Sequence, residues 1–249
     1  MAKKVWCGML LLVLVFGARP ALGSPTAGER LLSIFEGLDD YGPMWQAFNR
    51  VFPSETHALF EEVSAKYAKG GNGSAGAIST ELVQRAQQLL WDNRHFVLSA
   101  PDDRLMTFAA TQAVNLRDLR GEDVNECAYA AQHGGPPQTV TPASARVRIR
   151  ITIAELSLVE GGRDAPADHG APSASDISTV IEAAGDMGAS PEALDSWRQG
   201  ALAARPPKEQ CDTAIAINDA LSKVSPPVAG RVVETTLRAG THQESPAVQ

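Results

Sequence analysis

Cysteine is nearly missing from this chain: there are three in 249 residues, and Cys7 falls in a stretch that reads as a leader. Two remaining thiols fall short of a structural zinc set unless histidines join them. Aromatic residues make up only 6% of the sequence while alanine is abundant, which suits close-packed helices better than a β-sandwich. No paired-histidine zinc motif, nucleophile elbow, dinucleotide fingerprint or P-loop is present. The glycine-rich run Gly70 to Gly76 has neither the preceding strand nor the internal lysine of a phosphate-binding loop, and reads as a surface linker. No repeat of fixed period is found, which excludes a solenoid of identical units.

The apolar run Val5 to Phe16 is too short for a comfortable membrane span of roughly 20 residues. With Lys3 and Lys4 before it and Ala21-Leu22-Gly23 after it, the layout is that of a secretory signal peptide over residues 1–23. A retained N-terminal anchor is the alternative. Processing takes away Lys3, Lys4 and Arg19 and no acid, and moves the formal charge from −7 to −10. That balance argues against nucleic acid or anionic lipid as a partner, and no membrane span is expected after processing. The expected place is extracytoplasmic, periplasmic or secreted, where Cys127 and Cys211 are expected to form a disulfide.

What is abundant is helical periodicity. The stretch from Ser99 to His133 organises the chain. Ser99-Ala100-Pro101-Asp102 reads as a cap, and Leu105, Phe108, Ala109, Leu116 and Leu119 form one buried face up to Gly121. Cys127 lies on the apolar face of a second helix that stops at Gly134. Before this stretch, Thr26 and Glu29 have capping-box spacing. Trp45, Phe48 and Phe52 line a short helix, Ser54 reads as the cap of the next, with Ala58, Leu59 and Val63 inward, and Ser79 as the cap of a long one. After it, Ser175, Ser190, Pro207 and Pro226 mark further helix starts, with Gly240 as the last stop.

Arg146 to Ile153 alternates as a strand would, with β-branched residues at every second place. A lone strand leaves its backbone groups unpaired, and no other segment alternates well enough to partner it. Thr141-Pro142 instead reads as a cap, and helical spacing puts Val147, Ile151 and Leu158 on one face and Ile149 and Leu156 on the other. A helix wedged between neighbours is therefore expected over Thr141 to Glu160, followed by a long mobile loop, Gly161 to Ser175, in which Asp168-His169 reads as exposed.

The expected fold is all-α, an irregular bundle of about eight to ten helices joined by Gly/Pro-rich loops. It forms a single domain over 24–240, with an N-terminal half 26–133, a C-terminal half 141–240 and a disordered tail 241–249. No cofactor and no catalytic residue is expected. Two local pairs could serve chemistry: His57 with Glu61 and Asp92 with His95 each share a helix face, and facing helices could supply two imidazoles and two carboxylates to a metal. Acids and histidines at these spacings are also common on solvated helix faces. The leading functional expectation is a binding or interaction module of the cell envelope that takes a protein, a peptide or a small apolar ligand. The alternative is a metal-dependent or hydrolytic enzyme built on those four residues.

Overall fold

Thr26 begins the ordered architecture. Its side chain accepts from the Glu29 backbone, and Glu29 accepts from the Thr26 N–H, closing the capping box of α1 (Ala27–Glu36). The computed structural model describes residues 24–69, 74–136 and 141–241. The leader and most of the glycine-rich run lie outside the described residues. The chain divides into two units, one up to Asn93 and one from Arg94. The sequence suggests a division near residues 134–141 instead. That stretch falls inside the second unit, because the helices on either side of it pack on the same central helix.

The first unit holds α1, α2 (Gly42–Val51), α3 (Pro53–Ala68) and α4 (Ala75–Asp92). Trp45, Phe48, Phe52 and Phe60 are fully buried. Trp45 and Phe60 meet edge to face with centroids 5.1 Å apart, an arrangement that suits the quadrupoles of both rings. Gly28 lets α1 cross α3 closely: a Cβ there would come within 2.7 Å of the Glu61 backbone nitrogen. Two expected caps fall elsewhere. Phe52 precedes α3, with Pro53 rather than Ser54 at its first position, where proline loses no hydrogen bond. Ser74, not Ser79, accepts from Ala77 N and starts α4, which leaves Ile78 buried within the helix. Ala58 is exposed and Phe60 takes the inward place expected of it. Glu81 of α4 accepts from Lys66 Nζ and Tyr67 Oη of α3, at 2.7 and 3.1 Å.

The second unit holds α5 (Arg94–Val97), α6 (Asp102–Glu122), α7 (Val124–His133), α8 (Pro142–Asp164), α9 (Ala174–Asp186), α10 (Pro191–Arg198), a 3₁₀ turn at Leu202–Ala204, α11 (Pro207–Leu221) and α12 (Pro226–Thr241). The described residues thus form twelve α-helices and no strand. The number exceeds the expected range in part because Asn93 ends α4 and makes the following turn a separate helix. Helix α6 is the centre of this unit and packs on α7, α8, α11 and α12. Pro101, not Ser99, is its cap, and Asp102 and Asp103 fill the first turn, where the helix dipole favours acids. Gly121 lies inside the last turn of α6 rather than ending it.

The ambiguous stretch is helical. Thr141 and Ser144 form a capping box at the start of α8, and Val147, Ile149, Leu156 and Leu158 are all buried. Its alternation arises because both faces are covered, not because it is extended. Gly162 marks a tight backbone approach, since a Cβ there would lie 1.9 Å from the Phe96 carbonyl oxygen of α5. The loop after α8 starts later than expected, at Ala165, and ends at the Ser173 cap of α9 rather than at Ser175. At the other end of the unit Gly240 lies within α12.

Two apolar clusters hold the unit. Leu105, Phe108, Leu158, Val180, Leu194, Ile217, Leu221, Val232 and Val233 belong to one. Leu116, Leu119, Cys127, Val147, Cys211 and Ile215 belong to the other. Cys127 of α7 and Cys211 of α11 are disulfide-bonded, with Cα atoms 5.4 Å apart and no exposure of either residue. Among the described residues no helix is long and apolar enough to cross a membrane.

Candidate functional site

The four residues considered for a metal do not form a site. His57, Asp92 and His95 are exposed and Glu61 is half-buried. Glu61 accepts from Thr26 Oγ1, Asp92 from Gln88 Nε2 at 2.7 Å, and the His95 ring rests on Phe96 with centroids 4.0 Å apart. Three of them belong to the first unit and His95 to the second. Among the described residues no group of three or more His, Cys, Asp or Glu is placed to share a metal ion.

Polar side chains converge instead where the 165–173 loop meets α6, α9 and α12. His169 is not exposed as the loop composition suggests: its side chain retains 4% of its accessible surface. Its Nε2 stands 2.8 Å from the Ala100 carbonyl oxygen, and its Nδ1 2.9 Å from Asp102 Oδ1. The second approach is ion-pair proximity rather than an aligned hydrogen bond, since that oxygen is buried with no hydrogen-bond partner. Alongside, Arg231 of α12 donates from Nε and Nη2 to the two oxygens of Asp176, at 2.9 and 2.7 Å. The Ser173 backbone and hydroxyl both donate to Asp176 Oδ2 at 2.8 Å. The Arg231 guanidinium first, and then the two Ser173 donors, hold the Asp176 carboxyl far below the usual carboxylate range. Both nitrogens of His169 face protein oxygens, so neither is open to take a proton from a substrate. This cluster fastens elements together.

Among the described residues, a groove in the second unit lies between α9 and α10. It is open to solvent, holds ≈ 450 Å³ and is lined by Ile181, Gly185, Ala189, Pro191 and Leu194, with Asp195 and Arg198 at its lip. Asp195 and Arg198 pair with each other and are both exposed, so the lip carries no net charge. The rest of the lining is apolar and holds no histidine, cysteine or serine, so the groove offers a ligand apolar contact with the paired Asp195 and Arg198 as its charged groups. Sequence reasoning marks helix starts at Ser175 and Ser190 but does not find the groove. Its signal is the pair of small residues Gly185 and Ala189, which leave the space that a larger side chain would fill. Trp197 is half-buried against the neighbouring core cluster, as expected of a packing residue. No protein-family model, curated protein or solved structure matches the chain.

Proposed function

We propose that the protein works outside the cytoplasm as a helical binding module and takes a small apolar ligand into the groove between α9 and α10. The observation that carries this reading is the groove's lining, apolar except for the single charged pair Asp195 and Arg198 at the lip. Its volume is in the range of small-molecule sites, roughly 300–1,000 Å³. The leader-like start and the buried disulfide support an oxidising compartment.

The test is titration of the mature chain, from Ser24 onward, with an environment-sensitive apolar fluorophore. Gly185 is exposed and in helical conformation, and a Cβ there would make only ordinary contact, 3.8 Å from Leu194 Cδ1. Gly185→Leu therefore fills the groove without disturbing the backbone. It should weaken probe binding by about tenfold, equivalent to about 1.4 kcal/mol. Equal affinity in the variant would exclude the groove as the site. Export is tested separately: protein recovered from cells should begin at Ser24, and an intact Met1 in the membrane fraction would count against it.

A further inference from the structure

Two oxygens that can only accept face the buried ring of His169. One is the Ala100 carbonyl, 2.8 Å from Nε2, and the other is Asp102 Oδ1, 2.9 Å from Nδ1. A neutral imidazole carries one N–H. The tautomer that donates from Nε2 to Ala100 leaves Nδ1 without a proton 2.9 Å from Asp102 Oδ1, and the other leaves Nε2 without one 2.8 Å from the Ala100 carbonyl oxygen. Only the doubly protonated ring both donates to Ala100 and brings positive charge to Asp102 Oδ1, a buried atom with no hydrogen bond of its own.

The other charges around the ring do not replace that proton. Arg231 of α12 acts on Asp102, but its guanidinium is committed to both oxygens of Asp176 of α9. Arg104, further along α6, turns to Ser157 of α8. Asp103 of α6 and Asp168 of the loop are exposed, and both are acids. With the ring neutral, Asp102 and Asp176 share one arginine.

We propose that Asp102 and His169 form a proton-dependent clasp that holds the 165–173 loop on the start of α6 and the middle of α12, closed when the ring is charged and released when it is neutral. The loop's backbone is tied at the same place, where Ala167 N donates to Ser99 O at 2.8 Å. Helix α12 rests directly on the clasp: a Cβ on Gly230 would come 1.8 Å from Asp102 Oδ1 and 2.8 Å from His169 Nδ1. The sign follows from the chemistry. Rising pH removes the proton, ends the ion pair and frees the loop. The window to search is the one in which histidine side chains in general change charge, roughly pH 5 to 8.

The experiment is amide hydrogen exchange on the whole mature protein from roughly pH 5 to 8, corrected for intrinsic rates, with nitrogen NMR of the imidazoles on the same samples. In the protected state both His169 nitrogens should carry hydrogen. Protection of the Ala167 amide should fall by about tenfold or more as one is lost. Asp102→Asn supplies an amide that can donate to a neutral Nδ1, so in that variant the loop should stay protected at the alkaline end and the step should vanish. A singly protonated ring with Ala167 fully protected would overturn the clasp, as would an unchanged step in Asp102→Asn. Should that variant fail to fold, the imidazole signals of the unaltered protein decide the matter alone.

Discussion

Single residues set two tight constraints in the second unit. Asp176 is held below the usual carboxylate range by Arg231 and Ser173, so the native state takes up that proton less readily than the unfolded chain. Its stabilisation is therefore complete above the unfolded carboxylate value near pH 4 and is lost as pH falls toward the lower native value. Denaturant midpoints measured downward from pH 7 should show this acid loss. Asp176→Asn should start less stable at pH 7 and decline less steeply. Gly162 makes a different demand. The atom its Cβ would strike is backbone, the Phe96 carbonyl oxygen, which cannot swing aside as a side chain can. Gly162→Ala should cost about 2–3 kcal/mol, at the upper end of ordinary overpacking, and thermal unfolding measures it. Gly121 meets nothing within 4 Å, so Gly121→Ala is the silent or mildly stabilising control.

At the scale of elements, capping was the most legible signal. The Thr26–Glu29 box and the Ser190 cap were readable because their partners lie within a turn. The same locality makes Thr141→Ala a clean test. It removes the hydroxyl that accepts from Ser144 N and donates to Glu126, and should cost about 1 kcal/mol, seen as a lower denaturation midpoint. Serine caps failed where several serines competed. Ser79 has the better spacing to an apolar pair, but the helix extends back to Ser74, and burial of Ile78 decides between them. The strand-like pattern of Arg146 to Ile153 was resolved from sequence by asking where its backbone partners would be. Sites were far less legible than helices. His169 meets Ala100 across 69 residues, and no local pattern predicts that a loop histidine will be buried against a helix start. The groove exists only once α9 and α10 pack, and its one mark in the sequence is the smallness of Gly185 and Ala189.

For the molecule as a whole, the Cys127–Cys211 bond is the largest single constraint on the chain. It closes a loop with a sequence separation of 84. In the chain-entropy model such a loop stabilises by about 4.5 kcal/mol, a large part of a typical total of about 5–15 kcal/mol. Chemical denaturation with and without reductant should differ by up to that amount. Cys127→Ala combined with Cys211→Ala should match the reduced protein. Thiol titration of the denatured, unreduced mature chain should find no free cysteine.

The same bond changes what it means to cut this protein. Residues 128–210 form a covalent ring with the bridge, and α8, α9, α10 and the 165–173 loop are all carried on it. One peptide bond broken anywhere on the ring opens it without parting the molecule, which becomes two chains held by sulfur. A protease that nicks the loop would leave one band on a gel without reductant and two bands with it.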